Sequence, residues 1–261
     1  MTHEAVVPVW QSRVHFRVLS AGHGAPLVFL HGPWGLTWDP FLDALASHFT
    51  VHAPEHPGTT PGAPDEIYEL DGLWDLVVCY DELLDGLGLD DTVLVGHSFG
   101  GMIACELAAA SPRRVRRLAL IDPLGFWRET EPVVNWMALD LLEMRRKIFR
   151  DPEAAAARRM FGDADEHTAA ARVRLTWAMG TTGKFIWPIP DKGLKKRAHR
   201  IKAPTLLVWG KEDELVPPVY ADEFTRRLPH ARVHLVDQAA HAPHLEHPET
   251  VARVVGEFLS G

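Results

Sequence analysis

The feature that most constrains this chain is a serine between two glycines, Gly96-His97-Ser98-Phe99-Gly100, at the end of a short apolar run. Residues 92–95 are typical of a buried strand, and the small and apolar residues that follow are typical of a packed helix. The sequence therefore predicts a strand, a sharp turn and a helix, with Ser98 at the corner. Larger side chains at Gly96 or Gly100 would collide across such a turn, which holds the serine in a strained conformation.

This turn favours a nucleophilic role for Ser98. The turn lifts the hydroxyl clear of the sheet and places it at the N-terminus of a helix, whose free N–H groups stabilise negative charge. An ordinary glycine-rich turn between a strand and a helix has the same local pattern, however. A nucleophile also requires a base, an acid and an oxyanion site elsewhere in the chain.

Two later loops supply a base and an acid. Asp213 follows the apolar run 205–209, and His241 follows the next predicted strand. A serine hydroxyl is a weak nucleophile, and an imidazole such as that of His241 can take its proton and return it to the leaving group. Asp213 would hold the second ring nitrogen and stabilise the imidazolium. We therefore predict Ser98, His241 and Asp213 as the catalytic residues.

The chain order Ser98, Asp213, His241, with the serine at a strand–turn–helix corner, resembles the α/β-hydrolase superfamily from the first strand to the last helix. The resemblance implies the α/β-hydrolase fold: a mostly parallel central sheet flanked by helices, with an inserted all-helical cap. Within the superfamily, the chain is similar to serine esterases and meta-cleavage-product hydrolases that carry a helical lid. Some relatives place the acid after an earlier strand, which makes Asp122 the alternative to Asp213.

The order of the predicted strands and helices indicates how the chain is divided into a core and a lid. Residues 14–18 alternate as in a half-buried antiparallel strand, whereas residues 123–200 contain helical patterns and no convincing strand. We predict an α/β core from residues 1–122 and 201–261, and a helical lid from 123–200 over the strands' C-terminal ends. The other predicted strands are 26–30, 49–54, 92–95, 117–122, 205–209 and 233–236. The predicted helices are 40–48, 73–87, 99–110, 133–149, 152–161, 165–179, 218–228 and 248–259.

The oxyanion site departs from the pattern of the family. A tetrahedral intermediate needs two preorganised donors, and the first is expected to be the N–H of Phe99. Relatives take the second from the residue after the His-Gly that ends an earlier strand, and here that residue is Pro33, which has no N–H. We expect Trp34 to donate instead, with Gly35 as the alternative. A site one donor short would lower the rate about 10²–10³-fold.

Tryptophans in the predicted lid indicate an apolar or aromatic acyl pocket between the lid and the sheet, with Trp34 facing it from the other side. Some of these side chains simply pack the lid onto the core, which is the ordinary role of each taken singly. The residues predicted to line the substrate site are His31, Gly32, Pro33, Trp34, His97, Trp127, Trp136, Trp177 and Trp187.

Composition limits the partners and the location. The net charge of -8 argues against nucleic acid or an anionic membrane as a partner. Two cysteines, Cys79 and Cys105, fall in predicted helices and form no disulfide framework, which suits a reducing cytoplasm. The first residues lack the pattern of a signal peptide, and no apolar run approaches the ~20 residues of a membrane span. The predicted location is cytoplasmic, and monomer and homodimer stay open.

These observations predict a cofactor-independent serine hydrolase, carboxylesterase-like, that cleaves small-to-medium carboxylic esters with an apolar acyl group. No metal site is predicted, because no ligand pattern accompanies the histidines that follow His241. The first alternative is a carbon–carbon bond hydrolase for ring-cleavage diketones. Those relatives usually carry a glycine-rich loop after the first His-Gly and a tryptophan after the catalytic histidine, where this chain has Pro33-Trp34 and Ala242. A non-catalytic ligand-binding homologue is the alternative from another class.

Overall fold

The computed structural model describes residues 2–59, 63–161 and 169–261, with the side chains of 169–172 left undescribed. Within these ranges, eight strands form one sheet. They are β1 (His3–Val9), β2 (Val14–Gly22), β3 (Ala25–Leu30), β4 (Phe49–Pro54), β5 (Thr92–His97), β6 (Val115–Ile121), β7 (Thr205–Gly210) and β8 (Ala231–Val236). The α-helices are α1 (Pro40–Ala46), α2 (Leu73–Gly86), α3 (Phe99–Ala110), α4 (Leu141–Ile148), α5 (Ala155–Phe161), α6 (Ala169–Ile186), α7 (Leu194–Arg197), α8 (Tyr220–Arg227), α9 (Pro243–Glu246) and α10 (Pro248–Ser260).

The strand order places the carboxyl ends of six parallel strands at one edge of the sheet. The order is β1-β2-β4-β3-β5-β6-β7-β8, with β1, β2 and β4 paired antiparallel and the strands from β4 to β8 parallel. The chain leaves β3 towards β4 and crosses back to β5, so the loops after β3 and β5 emerge side by side. Such a switch point is where open α/β sheets bind ligands. The mostly parallel sheet flanked by helices confirms the predicted fold class.

Both faces of the sheet are covered, which explains its continuous apolar strands. In β3, Leu27 and Phe29 belong to the core on the side of α1 and α10, and Val28 and Leu30 belong to the core on the side of α2 and α3. Helix α3 is buried along almost its whole length. The helix that carries Ser98 at its N-terminus is therefore held between the sheet and other helices.

Between β6 and β7 the described residues form helices and no strand. We call residues 123–200 the helical insert; its exact limits stay a prediction. The expected helix 133–149 is wrong in its first half, where a short 3₁₀ turn (Trp136–Ala138) precedes α4. Asp140 causes this late start, because its side chain accepts hydrogen bonds from Leu142 N and Glu143 N and caps α4. The expected helix 165–179 instead runs on to Ile186, and residues 162–168 lie outside the described residues.

Strand β1 has no counterpart among the sequence predictions. Only Val7 and Val9 are buried in it, so the alternation is too short to stand out, and Pro8 lies within it. Proline is tolerated there because β1 is an edge strand. Cys79 and Cys105 are free and buried, as expected of small hydrophobic residues in helices. Among the described residues, no helix is both long and apolar enough to cross a bilayer.

Candidate active site

Ser98 lies at the predicted sharp turn, between β5 and α3. Its φ of 53° and ψ of -113° are rare for a residue with a side chain. A Cβ added to Gly96 would lie 2.5 Å from Gly100 O, and one added to Gly100 would lie 2.0 Å from Leu30 O. The two glycines are therefore required by the close approach of the backbone to itself and to the end of β3.

Replacing Gly100 with alanine is expected to lower the free energy of unfolding by about 3 kcal/mol or more, because the new methyl group meets backbone that cannot move aside. Urea unfolding measures this loss. The matched control is Gly180→Ala in α6, where an added Cβ has no atom within 4 Å. That control is expected to gain up to about 1 kcal/mol from helix propensity. Equal stability of the two variants would contradict the close crossing at Gly100.

The structure brings Ser98, His241 and Asp213 into one hydrogen-bonded chain. His241 Nε2 is 2.9 Å from Ser98 Oγ, and His241 Nδ1 is 2.8 Å from Asp213 Oδ2. Ser98 and His241 are 0% exposed, and Asp213 is 3% exposed. With Asp213 ionised, His241 donates through Nδ1, and Nε2 accepts from the serine hydroxyl. Such an arrangement can activate a serine as a nucleophile, with the histidine as the base and the carboxylate as the group that orients it.

Backbone groups fix the two partners of the serine. Asp213 Oδ1 accepts from Leu215 N at 2.8 Å and Val216 N at 2.9 Å, which leaves Oδ2 turned to His241. His97 Nε2 donates to His241 O at 2.8 Å. The His97 ring packs 5.2 Å from that of His241 and so helps to hold it in place, and the predicted role of His97 in the substrate site stays a prediction.

Asp122, the alternative acid, lies beside the same group. Its Oδ1 accepts from Gly210 N at 3.0 Å, and its φ is 43°. One carboxylate oxygen each from Asp122 and Asp213 and one ring nitrogen of His241 all lie within 4.8 Å of one another. Burial, followed by the charge of Asp213, raises the pKa of the Asp122 carboxyl well above its usual value and so favours its protonated form. The hydrogen bond from His241 favours Asp213 as the orienting acid.

The same three side chains are the one group of possible metal ligands among the described residues. Both oxygens of Asp213 and the Nδ1 of His241 already take part in hydrogen bonds. A protonated Asp122 is a poor ligand for a cation, because metal binding requires the ionised form. These three side chains are therefore better suited to transfer a proton than to bind a metal ion.

The loop after β3 is held by two histidines, His31 and His56, whose rings are in contact and tilted by 41°. His31 Nδ1 donates to Gly32 O at 2.6 Å, and His31 Nε2 accepts from His56 N at 2.9 Å. His56 Nε2 in turn donates to His31 O at 2.7 Å, and Tyr80 OH lies 2.5 Å from His56 Nδ1. His31 was predicted to line the substrate site, but both of its ring nitrogens are used to shape the loop. Burial lowers the pKa of His56 to about 4 and that of His31 well below its usual value.

His244 belongs to the same buried region and predicts a dependence of stability on pH. Its ring packs against His97, Phe29 and Phe41, and burial lowers its pKa to about 3. Below pH 6.5, His244 therefore binds a proton in the unfolded chain but stays neutral in the folded chain. The free energy of unfolding consequently falls as the pH falls.

Replacing His244 with phenylalanine is expected to remove this contribution. Between pH 7 and pH 5, the variant should lose about 2 kcal/mol less stability than the unaltered protein, at 1.36 kcal/mol per pH unit below pH 6.5. Urea unfolding at both pH values measures the difference. Because other titrating groups are common to both proteins, equal losses would contradict a neutral buried His244.

The residues predicted for the oxyanion site flank the triad. Phe99 begins α3 directly after Ser98, and its ring packs against His56 and Phe185. The Trp34 ring lies 6.1 Å from that of His241, at 89° to it. Pro33 is buried in the turn before Trp34. Phe99 and Trp34 as the two donors remain a prediction.

The other residues predicted to line the substrate site separate into two groups. His31, Gly32, Trp34 and His97 share a small cavity of about 70 Å³. Trp136, 2% exposed, packs edge-on against Trp34 with ring centroids 6.3 Å apart.

The remaining lid tryptophans lie further out. Trp127 is half-buried, and it shares a cavity of about 40 Å³ with Trp136 and Trp187. Trp177 is 39% exposed and donates through Nε1 to Gly58 O at 2.7 Å, and Trp187 is 57% exposed. Neither Trp177 nor Trp187 lines the cavity that His31, Gly32, Trp34 and His97 share. Aromatic content alone could not tell which face of the insert each one occupies.

Residues 27–254 match the model of the α/β hydrolase family, and the chain belongs to that family. The pimeloyl-[acyl-carrier protein] methyl ester esterase of Aromatoleum aromaticum is 30% identical over 257 residues, which cover 90% of this chain and 98% of the relative. The 2-hydroxy-6-oxo-6-phenylhexa-2,4-dienoate hydrolase of Burkholderia cepacia is 24% identical over 95% of this chain and 91% of its own. The solved hydrolase of the same name from Rhodococcus sp. strain RHA1 aligns with a TM-score of 0.79 and 20% identity over 100% of this chain and 99% of its own, which shows the same fold.

Proposed function

We propose that the protein is a serine hydrolase that cleaves small-to-medium carboxylic esters through an acyl-enzyme. The observation that supports this proposal most directly is the hydrogen-bonded chain from Asp213 through His241 to Ser98, with the serine at a positive φ. The relatives support hydrolase activity in general, and one of them is named for a methyl ester.

In the proposed reaction, Ser98 Oγ attacks the ester carbonyl carbon while His241 Nε2 takes the hydroxyl proton. Asp213 stabilises the imidazolium that forms, and the N–H of Phe99 together with a donor from Trp34 stabilises the oxyanion. The intermediate collapses as His241 gives the proton to the departing alcohol. Water, deprotonated by His241, then attacks the acyl-enzyme and releases the acid and Ser98.

The second candidate is cleavage of a carbon–carbon bond in a ring-cleavage diketone. It is favoured by relatives and a solved structure named for such hydrolases. The same three residues would serve that reaction, so the triad does not separate the two candidates. The loop Pro33-Trp34 and Ala242 after His241 favour the ester, because relatives that cleave carbon–carbon bonds usually differ at these positions.

Steady-state hydrolysis of p-nitrophenyl esters from acetate to decanoate tests the proposal, with Ser98→Ala as the control. We expect turnover that depends on Ser98 and peaks at one chain length. Labelling with a fluorophosphonate checks the triad independently. A folded protein that is labelled but hydrolyses no ester would favour the carbon–carbon candidate. A protein that is neither labelled nor active would favour a non-catalytic ligand-binding homologue.

A further inference from the structure

The catalytic residues are closed off from solvent in this structure. Ser98 and His241 are 0% exposed, which leaves no access for a water molecule. An ester is larger than water, and its carbonyl carbon must come within about 3–3.5 Å of the serine oxygen to react. A side chain that covers the triad therefore has to move before any substrate reaches Ser98.

The indole of Trp34 covers the catalytic histidine. Its ring lies 6.1 Å from that of His241 and meets it edge-on, at 89°. The His97 ring also packs on His241, but it is buried and held by its hydrogen bond to His241 O. Trp34 is only half-buried. One side of the indole therefore contacts the base of the triad, and the rest of it faces open space.

The open space beside Trp34 is a cavity of about 700 Å³ between the loop after β3 and helices α5 and α6. We call it the outer cavity. Its apolar lining includes Leu36, Met160, Leu175 and Ala178. Val6, which is 60% exposed, also lines it, so the cavity is open to solvent. Neither Ser98 nor His241 lines it. The outer cavity therefore offers an acyl group a route that ends at Trp34, next to the triad.

The indole N–H has no hydrogen bond that holds the ring in this position. Trp34 Nε1 is buried and has no partner among the described residues. It points inward, since a Cβ on Gly32 would lie 2.9 Å from it and 2.8 Å from His97 Nδ1. A buried N–H without a partner destabilises the position that it occupies. Turning the ring away from His241 would return Nε1 to water and offset part of the packing that is lost.

We propose that the Trp34 indole is a gate over the triad. It covers His241 in the free protein and turns aside when an ester enters from the outer cavity. Because the ring has to clear a path for the acyl group, Trp34 selects narrow acyl groups over wide ones. The proposal rests on the proposed ester hydrolysis and gives the side chain of Trp34 a role separate from that of its backbone N–H.

A narrow and a wide ester test this selection. The kcat/KM for p-nitrophenyl benzoate is divided by that for p-nitrophenyl acetate in each variant, so the intrinsic reactivities of the two esters cancel between variants. We expect Trp34→Ala to raise this ratio about 10-fold or more, and Trp34→Phe, with its smaller ring, to raise it less. Trp74→Ala removes an indole of α2 that is 54% exposed, and it should leave the ratio unchanged. A ratio that is unchanged or lower in both Trp34 variants would overturn the proposal.

Exchange of the indole protons with water separates a moving gate from a fixed wall. After Ser98 has reacted with phenylmethanesulfonyl fluoride, the Trp34 Nε1–H should exchange about 10-fold faster than in the free protein, because the ring has turned outward. The Nε1 of Trp136 is also buried without a partner among the described residues, and it should keep its rate. ¹H–¹⁵N spectra measure both rates, and Trp34→Phe assigns the signal. A Trp34 N–H that stays protected in the labelled protein would contradict the gate.

Failure of the proposed function would give a different pattern. A protein that neither hydrolyses the esters nor reacts with phenylmethanesulfonyl fluoride would overturn the esterase, and binding would then decide the gate. Methyl benzoate should raise the melting temperature of Trp34→Ala more than that of the unaltered protein, because no ring has to be displaced. Equal shifts in the two proteins would overturn the gate.

Discussion

Replacing Ser98 with alanine is expected to lower kcat/KM for the preferred p-nitrophenyl ester by a factor on the order of 10⁴–10⁶. The hydroxyl that would attack the carbonyl is 2.9 Å from His241 Nε2, and alanine has no atom to replace it. The backbone strain at φ 53° is common to serine and alanine, so the free energy of unfolding should change by less than about 1 kcal/mol.

Ser111→Ala is the matched control for this variant. Ser111 follows the opposite end of α3, where its hydroxyl donates to Asp81 Oδ1 at 2.9 Å. This control should keep full turnover and full labelling by a fluorophosphonate, whereas Ser98→Ala should lose both. Retained hydrolysis in the Ser98 variant would exclude Ser98 as the nucleophile.

The sequence was sufficient to predict that Ser98, Asp213 and His241 lie together, because three short patterns fall at strand ends. Parallel strands share one carboxyl edge, so residues that follow β5, β7 and β8 must lie near one another once the fold is known. Ser98, Asp213 and His241 follow those strands directly or within a few residues. Asp122 lies beside them because β6 and β7 are neighbours in the sheet. Only the order of the strands reveals this.

The insert was predicted less well, because helical spacing does not show where a helix begins or which neighbour its faces meet. The capping by Asp140 delays α4, and the extension of α6 to Ile186 adds two turns beyond the expected end.

Replacing Asp213 with asparagine is expected to lower kcat by about 10⁴-fold, the loss known for the equivalent change in a serine protease. The amide oxygen can still accept from Leu215 N and Val216 N, so the loop should keep its shape. The amide nitrogen, however, then faces His241 Nδ1 and donates to it. This contact favours the tautomer with the proton on Nε2, which cannot accept the proton of Ser98.

Asp122→Asn is the matched comparison for the Asp213 variant. Burial beside Asp213 raises the pKa of Asp122 and favours its neutral form, and the asparagine amide is a neutral group of the same shape. Its oxygen can still accept from Gly210 N, and kcat should fall by less than about 10-fold, the size of one neutral hydrogen bond. If Asp122 were the acid that orients His241, the two variants would exchange their effects. Single-turnover rates of both variants, measured on one ester at pH 7, therefore decide which carboxyl carries the charge.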